Sequence, residues 1–159
     1  MSDIVGANQP LPATAAAAAD LSDCEAVILA GGLGTRLRSV LPDRPKPLAI
    51  VAGRPFLAWS LDLVAAAGVR RAVICTGYLA QMVEDELGRR HGSLELCYSR
   101  EETPRGTGGA ILDALPHTSS STILALNGDS LCLADLRTFA AEHRRRSAVA
   151  SLLLTQVDD

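Results

Sequence analysis

Short apolar segments with the pattern of buried β-strands alternate with segments of helical periodicity from residue 24 onward. This alternation constrains the fold most, because strand–helix–strand units joined by short loops build a mainly parallel sheet that helices cover on both faces. The predicted class is therefore α/β, and ligands of such sheets bind beyond the carboxyl ends of the strands. The pattern predicts strands over residues 25–30, 71–76, 94–98, 122–126 and 148–154, and helices over residues 56–67, 79–87, 106–115 and 136–143.

Composition fits one globular domain and argues against several classes of protein. The 159 residues are 48% hydrophobic, which is enough apolar surface for one α/β core. The net charge of −3 argues against a broad nucleic-acid-binding surface. The four cysteines show no CxxC or metal-ligand spacing, which favours a reducing, intracellular compartment and a cytoplasmic protein.

The two ends of the chain differ from its middle. Residues 1–22 include an Ala-rich run that is too short for a membrane helix, and they lack the basic start of a signal peptide. We expect this segment to be a disordered leader and residues 23–159 to form the nucleotide-binding part of a domain. The apolar run before residue 159 is typical of a strand that leads into further structure. We therefore expect the domain to be truncated at its C-terminus.

The first predicted strand runs directly into a loop that contains Gly31, Gly32 and Gly34. Glycines let backbone N–H groups approach an anion closely, as they do in phosphate-binding loops. Arg36 can bind phosphate oxygens in a bidentate way, and Lys46 can supply a second positive charge between two prolines that restrict its backbone. The alternative interpretation is a tight turn with a surface salt bridge.

This loop differs from two widespread phosphate-binding loops. It lacks the pattern GxxxxGK[ST], which excludes the nucleotide-hydrolysing P-loop. It also departs from GxGxxG, because Leu37 stands at the position of the last glycine. The departure weakens a dinucleotide-dependent oxidoreductase, which stays open as a rival from a different class.

Two further loops follow predicted strands and would lie at the same edge of the sheet. Residues 101–110 lead from a strand into a glycine-rich helix start, whose N–H groups either bind a ligand or are capped within the protein. Asp129 directly follows another strand and can hold Mg²⁺ against phosphate oxygens, although Asn127-Gly128 also fits a turn with an exposed aspartate. Phosphoryl transfer needs little beyond such a cradle, cations and a metal-binding carboxylate.

Four motifs of this chain resemble, in sequence and in order, those of the sugar-1-phosphate nucleotidyltransferases: residues 31–37, 45–48, 106–109 and 127–129. The resemblance covers about residues 24–159 and implies a Rossmann-like sheet of the nucleotide-diphospho-sugar transferase type. Within this family, residues 37–40 and 51–57 are similar to guanylyltransferases that act on manno-heptose 1-phosphate. The resemblance therefore implies Mg²⁺-dependent transfer of GMP from GTP to a sugar 1-phosphate, with release of pyrophosphate.

The resemblance also implies roles for residues at matching positions. Arg36 would stabilise the departing pyrophosphate, Lys46 would contact the α-phosphate, and Asp129 would bind the Mg²⁺ cofactor. An oxygen of the sugar phosphate would attack the α-phosphorus opposite the pyrophosphate. The residues expected to bind the nucleotide are Leu29, Ala30, Gly31, Gly32, Gly34, Thr35, Glu101, Gly106 and Thr107.

The preferred base is predicted from hydrogen-bond polarity at Glu101, where the family places its base-reading side chain. Guanine presents two adjacent donors that an ionised carboxylate accepts together, whereas uracil and thymine suit an amide. Alternatively, Glu101 is a solvated loop residue, and Glu102 or backbone groups read the base. Transferases that use UTP, dTTP or CTP, and a nucleotide-binding module without activity, are further alternatives. Arg105 departs from the leucine that is usual in the family, so this loop can differ near the base.

Overall fold

The computed structural model of the protein describes residues 20–32 and 44–154. Residues 20–133 belong to one compact unit, and residues 134–154 belong to a second unit that is described separately. Most of the predicted leader lies outside the described residues, but its last three residues are described. Leu21 is completely buried and its N–H donates to the carbonyl of Ala67 at 3.0 Å, so the packed domain includes Leu21.

The first unit alternates strands and helices as the sequence predicts. Two short 3-10 helices span Lys46–Leu48 and Leu115–His117. The predicted strands and helices of this unit are confirmed, with bounds within two residues of those expected. In chain order the elements are β1 (Glu25–Leu29), β2 (Ile50–Val51), β3 (Arg54–Pro55), α1 (Phe56–Ala66), β4 (Arg71–Thr76), α2 (Ala80–Leu87), β5 (Arg90–His91), β6 (Leu94–Arg100), α3 (Gly106–Ala114) and β7 (Ile123–Asn127).

Five strands form one sheet in the order β5-β6-β4-β1-β7. β1 pairs in parallel with both β4 and β7, β4 pairs in parallel with β6, and the short β5 adds an antiparallel edge. The chain builds outward from β1 to β6 and then returns to place β7 on the other side of β1. The carboxyl ends of β1 and β7 therefore flank a topological switch point, where open α/β sheets bind ligands. The predicted mainly parallel sheet is confirmed.

Both faces of the sheet are buried. One face carries Val27, Val73 and Cys75, which pack with Ala110 and Ala114 of α3. Side chains alternate between the faces along a strand, and the alternate residues are completely buried on the opposite face. These alternate residues are Ala26, Ile28, Ala72 and Ile74. Burial on both sides explains why the central strands are apolar at almost every position.

Two predictions about the last strands need correction. Residues 148–154 form no strand, and the side chains of Val149 and Leu152 are largely exposed. Within the described residues no strand pairs with this segment, and an apolar run becomes a strand only where a neighbour takes up its backbone hydrogen bonds. β7 is a strand as predicted, but it is only partly buried because it lies at the edge of the described sheet.

The sequence pattern also missed the shortest elements. β2 and β3 form a two-stranded antiparallel hairpin, and β5 has only two residues. A period of two residues cannot be read from strands of that length. The hairpin also exposes apolar side chains to solvent, since Ile50 and Val51 are about half exposed.

The second unit contains the predicted helix, α4 (Leu136–Arg145). The helix begins after Asp135, whose carboxylate accepts hydrogen bonds from the N–H groups of Arg137 and Thr138. Such a side chain satisfies backbone donors that the first turn leaves open. In the part of the chain that the structure describes, no helix has the length and apolar character needed to cross a bilayer.

A buried ion pair joins the first residues of β1 and β4. The carboxylate of Glu25 accepts hydrogen bonds from the N–H and the hydroxyl of Ser119 at 2.9 and 2.8 Å. The guanidinium of Arg71 donates to Glu25 at 3.4 Å, to the sulfur of Cys97 at 3.0 Å and to the carbonyl of His117. Burial opposes the ionisation of Glu25, but the hydrogen bonds from Ser119 and Arg71 outweigh it and hold its pKa below the usual range. The network therefore ties the amino ends of two central strands to the chain before β7.

We predict that Glu25→Gln lowers the free energy of unfolding by about 1–3 kcal/mol, because the Arg71 guanidinium loses its buried charged partner. Chemical denaturation near neutral pH measures this cost. Glu95→Gln is the matched control, since Glu95 pairs with the same guanidinium at 3.8 Å but its side chain is 56% exposed. The control should cost less than about 1 kcal/mol. Equal costs for the two variants would contradict the assignment.

The same ion pair predicts a dependence of stability on pH. The pKa of Glu25 is lower in the folded protein than its usual value of 4.5. The stability from the carboxylate is therefore fully present above that value and is lost as the pH falls through the lower folded pKa. The difference in unfolding free energy between wild type and Glu25→Gln should shrink in acid and stay constant near neutral pH. A difference that persists in strong acid would show that the charge is not the cause.

Candidate active site

Glycines bring the carboxyl ends of β1, β4 and β7 into contact. A Cβ atom on Gly128 would lie 2.8 Å from the carbonyl oxygen of Leu29 and 3.2 Å from the Cβ of Ala30. A Cβ atom on Gly77 would lie 2.8 Å from the carbonyl oxygen of Gly31. Real side chains do not come this close, so larger residues would push the strand ends apart. The loop after β1 is therefore in close contact with the chain after β4 on one side and with the chain after β7 on the other.

The predicted nucleotide-binding residues at the end of β1 divide into two pairs. The carbonyl of Leu29 accepts the N–H of Gly128 at 2.8 Å, and the N–H of Ala30 donates to the carbonyl of Cys75 at 2.9 Å. These backbone groups are therefore used in hydrogen bonds between neighbouring strand ends. Gly32, two residues further on, is exposed, and a Cβ on it would meet nothing within 4 Å. The described part of the cradle therefore opens at residues 31–32.

Three predicted site residues lie outside the described residues. They are Gly34, Thr35 and Arg36. Their roles in holding the triphosphate and in stabilising pyrophosphate stay predictions from the sequence. The segment that carries them joins the opening at Gly32 to the chain before Lys46.

Two side chains predicted for catalysis form an ion pair at this edge of the sheet. The Nζ of Lys46 donates to Oδ2 of Asp129 at 2.7 Å, although 83 residues separate the two in sequence. The hydroxyl of Ser130 donates to Oδ1 of the same carboxylate at 3.1 Å. The Lys46 ammonium outweighs partial burial and holds the pKa of Asp129 below its usual range. Because both charged side chains remain more than one-third exposed, a ligand can reach them.

The backbone of Lys46 is fixed by the chain that follows it. Lys46 begins a 3-10 helix with a proline on each side, and Leu48 in this helix is completely buried. The chain then turns back through the β2–β3 hairpin. Trp59 of α1 holds this hairpin through a hydrogen bond from its Nε1 to the carbonyl of Val51 at 3.1 Å. The stem of Lys46 is consequently anchored while its ammonium stays at the surface.

Glu101 lies against the first glycine-rich loop. Its N–H donates to the carbonyl of Thr76 at 2.8 Å, which places it at the carboxyl end of β4. Its Oε2 lies 2.9 Å from the point where a Cβ on Gly31 would stand, and its Oε1 accepts the N–H of Arg105 at 3.2 Å. Glu101 is half-buried, whereas Glu102 is exposed. The structure thus brings a carboxylate from the second loop to the first.

The start of α3 is open to solvent. Gly106 has a φ of +71°, a conformation that other residues adopt only with strain. Gly106 and Thr107 are exposed, and the side chain of Arg105, the residue before the helix, does not cap it, although the N–H of Arg105 donates to Glu101. Arg105 instead pairs with Asp113 further along the helix, and its stem passes over Gly109, where a Cβ would collide with it. The exposed start of α3 is accessible to a ligand, and its role in nucleotide binding stays a prediction from the sequence.

The turn after β7 is not of the hairpin type that Asn127-Gly128 could form. β7 pairs in parallel with β1, and Gly128 is not among the described residues with positive φ. Gly128 is glycine because of the close approach to Leu29, and it delivers Asp129 to the edge of the sheet. Gly77, the matching glycine after β4, was not predicted from the sequence as part of the site. The available signal was a glycine that directly follows an apolar strand.

The contacts form one continuous line along the carboxyl edge of the sheet. The carboxylate of Glu101 stands at one end, the ion pair of Lys46 and Asp129 stands at the other, and between them lie glycine backbone and the small side chain of Ala30. An elongated anionic ligand fits such an edge, because the glycines admit its phosphates closely. In order, the line runs through Glu101, Gly31, Ala30, Gly128, Asp129 and Lys46.

The donor set fits Mg²⁺ held by a single carboxylate. Within the described residues, no three His, Cys, Asp or Glu side chains come together as a metal-binding group. Mg²⁺ at phosphate sites is commonly bound by one or two carboxylates, phosphate oxygens and water. The ionised carboxylate of Asp129 beside the glycine-lined edge meets that requirement. Cys75 lies near this edge, where burial raises the pKa of its thiol to about 11 and so disfavours the thiolate.

Comparison with known proteins places these features in a family. A model of the Nucleotidyl transferase family matches residues 25–159. The D-glycero-alpha-D-manno-heptose 1-phosphate guanylyltransferase of Aneurinibacillus thermoaerophilus is 40% identical over 130 residues, which are 82% of this chain and 56% of that protein. The mannose-1-phosphate guanylyltransferase of Mycobacterium tuberculosis is 39% identical over 136 residues, which are 85% of this chain and 38% of that protein.

A solved structure agrees with the fold described above. The crystal structure of HddC from Yersinia pseudotuberculosis complexed with GMP-PN matches with a TM-score of 0.68 and 36% identity. The match covers 75% of this chain and 53% of HddC. This chain therefore spans about half the length, or less, of the three proteins compared. Since the family model covers the whole sheet and the relatives are 36–40% identical over the matched residues, the chain belongs to the nucleotidyl transferase family, among the sugar-1-phosphate nucleotidyltransferases.

Proposed function

We propose that this chain forms the nucleotide site of a guanylyltransferase, which transfers GMP from GTP to a manno-heptose 1-phosphate and releases pyrophosphate. The observation that carries this proposal is the ion pair of Lys46 and Asp129 at 2.7 Å beside the glycine-lined edge of the sheet. An ammonium, an ionised carboxylate and uncovered backbone are what phosphates and their cation require at close range. The activity of the whole protein is part of this proposal, since the chain spans only part of its relatives.

The reaction asks the protein for position and charge more than for covalent chemistry. A phosphate oxygen of the sugar 1-phosphate attacks the α-phosphorus of GTP, and the bond from that phosphorus to the bridging oxygen breaks as pyrophosphate leaves. The attacking phosphate is already ionised, so no general base is needed. Lys46 is assigned to the α-phosphate, where its ammonium neutralises charge that develops in the transition state. Arg36 is assigned to the departing pyrophosphate on the resemblance alone.

Asp129 is assigned as the carboxylate that holds Mg²⁺. The bound ion would neutralise charge on the phosphate oxygens and bring the nucleotide to the switch point of the sheet. Ser130 donates to the other carboxylate oxygen at 3.1 Å and so helps to set the orientation of the group. The close approach at Gly128 fixes the backbone that carries it.

Guanine is supported by the position of Glu101. Its carboxylate stands at the mouth of the first loop and can accept the two adjacent donors of guanine. One of its oxygens already accepts the N–H of Arg105, which limits how the carboxylate can turn. The names of the two relatives, both guanylyltransferases, and the GMP-PN complex of HddC support the same base.

One assay identifies the sugar-phosphate acceptor and distinguishes the proposed function from the alternative functions. The names of the relatives support a heptose or mannose 1-phosphate. Pyrophosphate release is measured with GTP, UTP, dTTP and CTP against manno-heptose 1-phosphate, mannose 1-phosphate and glucose 1-phosphate. Release with GTP and the heptose alone supports the proposal, and release with another triphosphate supports a different transferase. Nucleotide binding without any release supports a binding module.

We place the reaction in the cytoplasm, because none of the four cysteines, all described, forms a disulfide.

Asp129→Asn should lower pyrophosphate release by about 10²-fold or more, because a neutral amide is a poor ligand for Mg²⁺. Thermal unfolding should change little, since the carboxylate is 44% exposed. Asp85→Asn is the matched control, because Asp85 is an exposed aspartate of α2 whose carboxylate accepts a hydrogen bond from Gln81 and not from a predicted site residue. Turnover retained by Asp129→Asn, or lost equally in Asp85→Asn, would remove Asp129 from the mechanism.

Glu101→Gln should erode the preference for GTP over UTP by about 1–3 kcal/mol, because an amide cannot accept both donors of guanine. The ratio of kcat/KM for GTP and UTP measures the preference, and calorimetric Kd values for the two nucleotides give a second readout. Glu102→Gln controls for the loss of a charge in the same loop and should leave the ratio unchanged. A wild-type preference for UTP, or an effect at Glu102 and not at Glu101, would contradict guanine reading by Glu101.

A further inference from the structure

The single lysine of the chain is bound to the carboxylate assigned to the metal. Lys46 is the only lysine among 159 residues, and the other 14 members of the Lys and Arg total are arginines. Its Nζ donates to Oδ2 of Asp129 at 2.7 Å, while the hydroxyl of Ser130 donates to Oδ1 at 3.1 Å. Both oxygens of this carboxylate therefore have a donor within the protein.

A divalent cation competes with Lys46 for this carboxylate. The ammonium already occupies one of the two carboxylate oxygens, and it repels a second cation at contact distance of the same carboxylate. A metal therefore binds more weakly while Lys46 stays in place, and withdrawal of the ammonium removes this repulsion. Withdrawal is unfavourable unless the ammonium finds another anion, and a triphosphate offers several negative oxygens. The displaced lysine and the entering metal thus both depend on the same ligand.

We propose that the ion pair of Lys46 and Asp129 keeps the metal-binding carboxylate closed until a triphosphate binds, so that free Mg²⁺ binds poorly and enters with the nucleotide. The proposal rests on the proposed function, because it takes Asp129 as the metal ligand and a triphosphate as the second partner. The exchange needs no movement of the main chain. The 3-10 helix anchors the backbone through buried Leu48, and the four-carbon stem of Lys46 can swing its ammonium between two partners.

Binding of Mn²⁺ without nucleotide tests the exchange directly. Electron paramagnetic resonance counts free Mn²⁺ in titrations of the wild-type chain and of Lys46→Met. The variant should bind Mn²⁺ about tenfold more tightly, because the competing ammonium is gone. Lys46→Gln repeats the comparison with a polar side chain. Equal affinities in the wild type and in both variants overturn the proposal.

Two controls show whether the gain belongs to this carboxylate. Arg44→Met removes an exposed positive charge two residues away and should leave the Mn²⁺ affinity within about twofold of the wild type. Asp129→Asn added to Lys46→Met should abolish the gain. A gain of equal size in Arg44→Met, or a gain that survives without Asp129, overturns the proposal in favour of a general charge effect.

The single lysine also permits a direct observation of its partner. A chain labelled with ¹³C and ¹⁵N in lysine gives one lysine side-chain signal in nuclear magnetic resonance. The signal should move when GTP is added without metal and should stay in place when millimolar Mg²⁺ is added alone. A signal that moves with Mg²⁺ alone overturns the proposal. If calorimetry finds no GTP binding, the proposed function fails, whereas the Mn²⁺ comparison still decides whether Lys46 closes the carboxylate.

Discussion

The parallel pairing of β1 with β4 and β7 is the constraint on which the rest of the structure depends. Its register matches residues 26–29 with residues 72–75 on one side and residues 25–29 with residues 123–127 on the other. At the amino ends of β1 and β4, the buried pair of Glu25 and Arg71 fixes this register. At the carboxyl ends, Gly31 and Gly77 let the strands touch. A shift at either end would move every site residue that follows a strand.

The two edges of the sheet use charge in opposite ways. At the amino edge, Glu25 is buried and accepts hydrogen bonds from Ser119 and Arg71, so its charge stabilises the fold. At the carboxyl edge, Lys46 and Asp129 remain exposed, and exposed ion pairs contribute little to stability. A pair that adds little to the fold can be exchanged for a ligand at small cost. The difference in burial thus separates the structural ion pair from the pair that is proposed to function in the site.

Elements with a periodic pattern and motifs of contiguous residues could be predicted from the sequence. Contacts between residues that are distant in sequence could not. The strands around Val27 and Val73 were predictable because burial on both faces makes them continuously apolar. The strand around Leu96 was predictable because apolar and exposed residues alternate along it. The run at residues 148–154 is just as apolar, yet it forms no strand, since composition does not supply a neighbour. Lys46 and Asp129 were each predicted from their own motif. Their contact was not, because nothing in either motif fixes how near an ammonium 83 residues away will come.

Lysine at position 46 suits the proposed exchange between carboxylate and phosphate. Elsewhere this chain uses arginine for its side-chain cations, and arginine binds a carboxylate through two parallel hydrogen bonds. Such a fork would hold Asp129 more firmly, and both bonds would have to break before a metal could bind. The ammonium of lysine makes a compact contact that one rotation of its stem can transfer to a phosphate. On the proposed function, the residue that supplies charge for the reaction would thus also be the one best able to release the metal ligand.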